Sequence, residues 1–251
     1  MSPRVSNNQP ERLVGVTLVG YNGCVPGTDS ASMKTSLYYI GRWAVRAFLF
    51  MFTRFEVKGR GNVPASGGVL VSANHLSLMD PPVVGVSLGR STIFMAKEEL
   101  FRSGFGRYFI SAFGAFPVRR GRLDREALRR AEKALSDRQA LVMFPQGARA
   151  SSDGYRPEGF IGAALIAARS GVPILPVGIT GTEKMKGWGW MLRRPRITVN
   201  IGPPFELSPG SGKGRHDQLE AQTRTIMGRI ADLLPPKYRG MNARSLDDGA
   251  Y

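Results

Sequence analysis

The side chains best suited to proton chemistry in this chain stand in one short run, Asn74-His75-Leu76-Ser77-Leu78-Met79-Asp80. Its histidine precedes its aspartate by five residues, and the 251-residue chain holds only one other histidine, His216. Imidazole is the side chain whose ordinary pKa suits a general base near neutral pH, so the choice of base is narrow. A carboxylate beside it fixes the tautomer and stabilises the imidazolium, a pairing suited to drawing a proton from a hydroxyl. Asp80 also has a plainer reading. Pro81 follows it, and proline is favoured at the first helical position, so Asp80 is well placed as a helix cap. The two readings are compatible, because a cap at a helix start can hold an imidazole that lies on the turn before it.

Two further clusters carry arginine. Gly114-Ala115-Phe116-Pro117-Val118-Arg119-Arg120 is followed by Arg122 and Arg125, and Phe144-Pro145-Gln146-Gly147-Ala148-Arg149 ends in another. A guanidinium grips a phosphate bidentately, and exposed N–H groups of a glycine turn add to the grip. A solvated basic face explains the first cluster as simply, and a structural turn with a surface arginine explains the second. Nucleophilic chemistry has less support. Cys24 is the sole cysteine, which excludes an intrachain disulfide and a thiolate zinc cluster and points to a reducing compartment. No Gly-x-Ser-x-Gly elbow occurs. Gly210-Ser211-Gly212-Lys213-Gly214 lacks the spacing of a phosphate-binding loop and reads as a flexible connection.

The elements that must position these residues alternate between strand and helix. Residues 68–73 read as a buried strand and residues 81–84 as the opening of a helix. Residues 91–96, 114–118, 140–144, 172–179 and 196–201 read as further strands. Residues 124–136 form a helix capped by Asp124, with Leu128, Ala131 and Leu135 inward and Arg125, Arg129 and Lys133 outward. Residues 160–170 form a helix stopped by Gly171, and residues 217–234 a final amphipathic helix. This order predicts an α/β fold: a single domain with a mixed, mostly parallel sheet flanked by helices. Histidine and both arginine clusters then fall at or just beyond strand ends, where such sheets bind ligands.

Charge and the N-terminal region point to a surface. The net charge is +16, with 35 Lys and Arg against 19 Asp and Glu, a balance that favours anionic partners. Residues 34–54 are apolar and aromatic, interrupted by Arg42 and Arg46 on one helical face. Each arginine at the centre of a membrane-spanning helix costs about 2.5–3.5 kcal/mol, so spanning is unfavourable. An in-plane helix lets both reach headgroups while the aromatics enter the acyl boundary; a core helix is the alternative. Residues 13–24 superficially resemble a lipoprotein signal, but Tyr21 stands where that signal wants leucine. The expected organisation is a poorly structured extension over 1–32, an amphipathic membrane-associating segment over 33–56, the α/β domain over 57–236 and a flexible tail over 237–251.

Taken together, the clusters resemble the glycerophospholipid acyltransferases, specifically the 1-acyl-glycerol-3-phosphate acyltransferases, across residues 34–235. Asn-His-x-x-x-x-Asp at 74–80 matches the family's first motif and residues 114–120 its second, with Arg120 at the arginine position. Residues 144–149 match the third, and Val172-Pro173-Ile174-Leu175-Pro176-Val177 the fourth. Met95-Ala96-Lys97-Glu98-Glu99-Leu100 is similar to the segment between the first two. The third motif departs from the usual Glu-Gly-Thr-Arg, carrying Gln146-Gly147-Ala148-Arg149, which bears on recognition of the acceptor.

The resemblance implies an O-acyltransferase that moves an acyl group to the sn-2 hydroxyl of 1-acyl-glycerol 3-phosphate and yields phosphatidic acid. His75 would be the general base and Asp80 its orienting partner. Lys97, Arg120, Gln146, Gly147 and Arg149 would bind substrate, with the arginines on phosphate. The donor would be acyl-CoA or acyl carrier protein, with no other cofactor and no metal. The implied partners are lysophosphatidate and an anionic membrane surface at the cytoplasmic face, with no nucleic acid. An acyltransferase with another acceptor, or a non-catalytic protein that binds anionic membranes, are the competing readings.

Overall fold

A computed structural model describes residues 28–101, 115–118, 124–150, 158–207 and 215–243. The chain divides into two units, residues 1–36 and 37–251. Of the first, the described residues are the opening turns of helix α1 (Thr28–Phe52). The second unit holds the sheet and everything that serves the candidate site.

Among the described residues, seven strands form one sheet: β1 (Arg54–Lys58), β2 (Val69–Ala73), β3 (Thr92–Lys97), β4 (Ala115–Val118), β5 (Ala140–Met143), β6 (Ile174–Thr180) and β7 (Arg196–Ile201). Their spatial order is β1-β7-β6-β2-β5-β3-β4. Strands β2 to β6 run parallel, with Val71 opposite Val142 of β5 on one side and Leu175 of β6 on the other. β7 joins β6 antiparallel and carries β1 beside it. The sheet is therefore mixed and mostly parallel, as the alternation of elements predicts.

Central strand β2 is buried at every position, and this follows from helices on both faces. On one face Val69, Val71 and Ala73 pack with Val83, Val84 and Val86 of α2 (Asp80–Ser87) and with Leu49 of α1. On the other, Leu70, Leu141 and Ile174 meet three helices: α3 (Arg125–Ser136), α4 (Gly162–Ser170) and α6 (Arg215–Asp232). The side chains on that side include Leu135, Ala164, Ile226 and Ile230. Asp124 caps α3 by accepting from the Glu126 and Ala127 amides, and Gly171 ends α4 at a φ of 60°. A four-residue helix α5 (Trp190–Arg193) precedes β7, and α7 (Pro236–Ala243) follows α6.

Three boundaries differ from the sequence expectation. Helix α1 begins at Thr28, inside the stretch read as an unstructured extension; Thr28, Asp29 and Ser30 are residue types that favour helix starts. The proposed boundary between residues 56 and 57 falls within β1, whose pairing with β7 lies far away in sequence and leaves no local signature. The tail from 237 is not all irregular: α7 forms there, anchored by buried Tyr238 in the core beside Leu234. Residues 13–24 and 210–214 lie outside the described residues.

Candidate active site

The chain leaves β2 toward β3 by way of α2, and leaves the adjacent β5 toward β6 by way of α4. Those two helices cover opposite faces, and both loops start side by side at the carboxyl ends of β2 and β5, the end at which α/β sheets bind ligands. His75 follows β2 and Gln146 follows β5, and they meet there: the His75 backbone N–H donates to Gln146 Oε1 at 2.9 Å. The Ala150 amide donates to the His75 carbonyl at 3.0 Å, which binds the two loops a second time.

Asp80 is fully buried and every direction it faces is polar. Its Oδ2 accepts from His75 Nδ1 at 2.8 Å and from the Leu76 and Ser77 amides at 2.6 and 2.7 Å. Its Oδ1 accepts the Thr182 hydroxyl at 2.5 Å. An ionised carboxylate has no proton to give, so the hydrogen lies on His75 Nδ1 and Nε2 is left as the basic nitrogen. Nε2 has no hydrogen-bond partner among the described residues. The Phe144 ring stacks on the imidazole at 4.3 Å between centroids and 24° between planes, holding the ring in one orientation. Upstream, Asn74 behaves as an extra backbone unit: its Nδ2 donates to the Ile179 carbonyl and its Oδ1 accepts the Ile179 amide. The loop that presents His75 is thus fastened to β5 on one side and β6 on the other.

The capping role expected of Asp80 is not observed. Met79 occupies the cap position of α2, and Asp80 is the first helical residue, with its carboxylate turned back to the loop amides and the imidazole. Proline supplies no N–H in the first turn of α2, so little there competes for the carboxylate.

The turn after β5 also differs from expectation. Gln146 is 1 % exposed and supports the His75 backbone, a bond that helps to position the imidazole. The role needs an acceptor only, and a neutral amide fills it without burying a charge. Ala148 is buried as well. Neither departure from the usual motif therefore faces solvent. Gly147 has a φ of 71°, and a Cβ there would overlap the Phe160 ring, so glycine is required by both backbone and space. It shapes the turn, and no ligand contact is assigned to it. Arg149 is half-buried one residue before the Ala150 amide that holds His75.

Lys97 ends β3, in the same parallel set, and its side chain lies outside the described residues, as does all of Arg120. His216 stands on the exposed face of α6, paired with Glu220 at 3.1 Å. Sequence reasoning overlooked Thr182, 102 residues beyond Asp80. Its only advance signal is a hydroxyl just past the end of the buried strand read at 172–179, next to Gly181.

Comparison with known proteins agrees with this geometry. A sequence profile of the acyltransferase family matches residues 54–180. The 1-acyl-sn-glycerol-3-phosphate acyltransferase of Streptococcus pneumoniae is 37% identical over 142 residues, 55% of this chain and 50% of that protein. The protein of that name from Bacillus subtilis is 26% identical over 76% of this chain and 93% of its own length. The chain thus spans about half of the first relative and nearly all of the second. The crystal structure of the 1-acyl-sn-glycerophosphate acyltransferase PlsC from Thermotoga maritima superposes with a TM-score of 0.60 at 26% identity, covering 84% of this chain and 85% of that one. The profile takes in β1 through β6 and with them His75, Asp80 and the turn at 144–149, and the chain belongs to the acyltransferase family.

Proposed function

We propose that this protein transfers an acyl group from a thioester, acyl-CoA or acyl carrier protein, to the sn-2 hydroxyl of 1-acyl-glycerol 3-phosphate, forming phosphatidic acid. The observation that carries the reading is the His75–Asp80 pair, a buried carboxylate on Nδ1 with Nε2 left to act as a base. Nε2 takes the proton of the acceptor hydroxyl as its oxygen attacks the thioester carbonyl. The C–O bond forms, the C–S bond breaks, and the imidazolium returns its proton to the departing thiolate. Asp80 balances the positive charge on the imidazolium throughout. The exchange is redox-neutral and asks for no cofactor besides the donor.

Arg149, one residue before the Ala150 amide that holds His75, is the candidate to hold the acceptor's phosphate; Arg120 and Lys97 are further cations for the same task. Helix α1 brings the lipid substrate within reach. Its Val45, Phe48, Leu49 and Phe52 pack inward, while Trp43 and Phe50 stay 73% and 76% exposed. Among the described residues no helix is long and apolar enough to cross a membrane, so this exposed face suits an in-plane contact with an anionic bilayer at the cytoplasmic face.

The test is thiol release from acyl-CoA with lysophosphatidate as acceptor. His75→Ala is expected to lower turnover by about 10²–10⁴-fold at an unchanged melting temperature, and near-wild-type turnover would overturn the mechanism. Arg149→Ala is expected to raise the KM for lysophosphatidate more than it lowers kcat. Equal activity of wild type on unphosphorylated acceptors would remove the phosphate role.

A further inference from the structure

The chain between Thr182, the partner of Asp80, and strand β7 is at once strongly basic and apolar. Residues 184–196 read Lys-Met-Lys-Gly-Trp-Gly-Trp-Met-Leu-Arg-Arg-Pro-Arg, with five cations, no acid, two tryptophans and a leucine. Trp190 is the anchor: its ring meets Phe48 of α1 edge-on at 5.8 Å. Trp188 and Leu192 point the other way, 86% and 92% exposed, the highest values among the described large apolar side chains. The same segment carries five exposed cations, Lys184, Lys186, Arg193, Arg194 and Arg196. The segment is fixed at both ends. Glu183, at its start, accepts from the Gly181 amide and from the Tyr238 hydroxyl, and at its end the Pro195 carbonyl accepts the Arg54 amide at 3.0 Å.

We propose that residues 184–196 form a second membrane-docking element, in which Trp188 and Leu192 enter an anionic bilayer beside helix α1. The inference rests on the reading that the acceptor is drawn from a membrane, and extends docking beyond the N-terminal helix. Three observations favour a lipid surface over other occupants. Exposed leucine and tryptophan gain from an acyl boundary, and tryptophan's amphipathic ring suits the headgroup level. The five exposed cations match anionic headgroups, whereas a second copy of a chain with net charge +16 would be repelled. The segment also reaches the exposed part of α1, where Arg194 donates to the carbonyl of exposed Phe50 at 3.4 Å. Nucleic acid would satisfy the cations but offers no partner for Leu192. Because Thr182 lies just ahead of the segment and bonds Asp80, docking here sets the height of the catalytic pair above the bilayer.

The experiment uses two full-length single-tryptophan proteins. Trp43→Phe with Trp190→Phe leaves Trp188, and Trp188→Phe with Trp190→Phe leaves Trp43. Each is mixed with vesicles of phosphatidylglycerol and phosphatidylcholine whose acyl chains carry bromine. Trp188 emission is expected to shift to the blue and be quenched. Quenching of Trp43 alone would overturn this proposal and leave docking by α1 standing; quenching of neither would overturn both. Trp188→Ser with Leu192→Ser is expected to weaken sedimentation with these vesicles about tenfold or more, and unchanged affinity overturns the proposal. The same variant is expected to keep wild-type turnover on a water-soluble, short-chain lysophosphatidate. Loss of that turnover too would place the segment's action in the active site and likewise overturn it. Lys184→Gln with Lys186→Gln is expected to lower affinity about fivefold per charge on anionic vesicles and to leave the weak binding to pure phosphatidylcholine as it was. An equal loss on both vesicle types would overturn the headgroup role.

Discussion

One carboxylate organises the centre of this protein. Asp80 accepts from the imidazole, from two loop amides and from Thr182, and no water reaches it. Removing the hydroxyl leaves a buried charge short of a partner, a loss of about 1.5–3 kcal/mol for a hydrogen bond to a charged group. Thr182→Val is therefore expected to lower stability by about that amount and to reduce kcat while the KM values hold. Thr182→Ser restores kcat if the hydroxyl positions the pair, whereas rescue of stability without rescue of kcat would show a structural role only. Gln146 permits a cleaner comparison. Gln146→Glu keeps the acceptor for the His75 amide and is expected to retain most activity. Gln146→Leu leaves that amide unpaired at a cost of about 1–3 kcal/mol, read from urea unfolding together with turnover. Equal behaviour of the two variants would sink the assigned role.

At the scale of elements, the base is placed by two loops on adjacent parallel strands, and each loop depends on a local device. The loop after β2 is fastened by Asn74 to the backbone of β6, and the loop after β5 turns on Gly147. At Gly147 a side chain meets both a φ of 71° and the Phe160 ring. Gly147→Ala is expected to destabilise the fold by more than about 1 kcal/mol and to lower turnover by moving Gln146 and, through it, His75. Adding Phe160→Ala relieves the overlap but not the dihedral, so it is expected to recover part of the loss. Full recovery would show that sterics alone were at issue.

For the whole molecule, helix α7 closes the fold onto the site. Tyr238 is buried against Leu234 and donates to Glu183 at 2.6 Å, one residue from Thr182. Burial, and then the bond to Glu183, push its phenol well above the usual value of 10.0. The folded state therefore holds this proton more tightly than the unfolded chain does. Stability from Tyr238 is complete below pH about 10 and falls as the pH rises above it toward the higher folded value. Urea midpoints measured from pH 9 to 11 are expected to drop more steeply in wild type than in Tyr238→Phe, which is the control for titrating lysines. Parallel slopes would contradict the assigned shift.

The parts of this protein written in neighbouring residues could be read in advance. The buried runs of β2 and β5, the Asp124 cap, the Gly171 stop and the five-residue spacing of His75 and Asp80 each depend on local periodicity or local backbone geometry. From them came the alternating α/β plan and the histidine with its carboxylate. Three of the features that were missed depend on distant partners. Pairing of β1 with β7, packing of Tyr238 in the core and the Thr182 hydroxyl on Asp80 join residues scores of positions apart, and no local pattern marks them. Gln146 shows the division within one side chain. Its place in a strand-end turn was legible, but its inward direction was set by an unpaired amide on the neighbouring loop. Local physics chose which residues could do chemistry. Only tertiary packing decided which of them face the substrate and which hold the others in place.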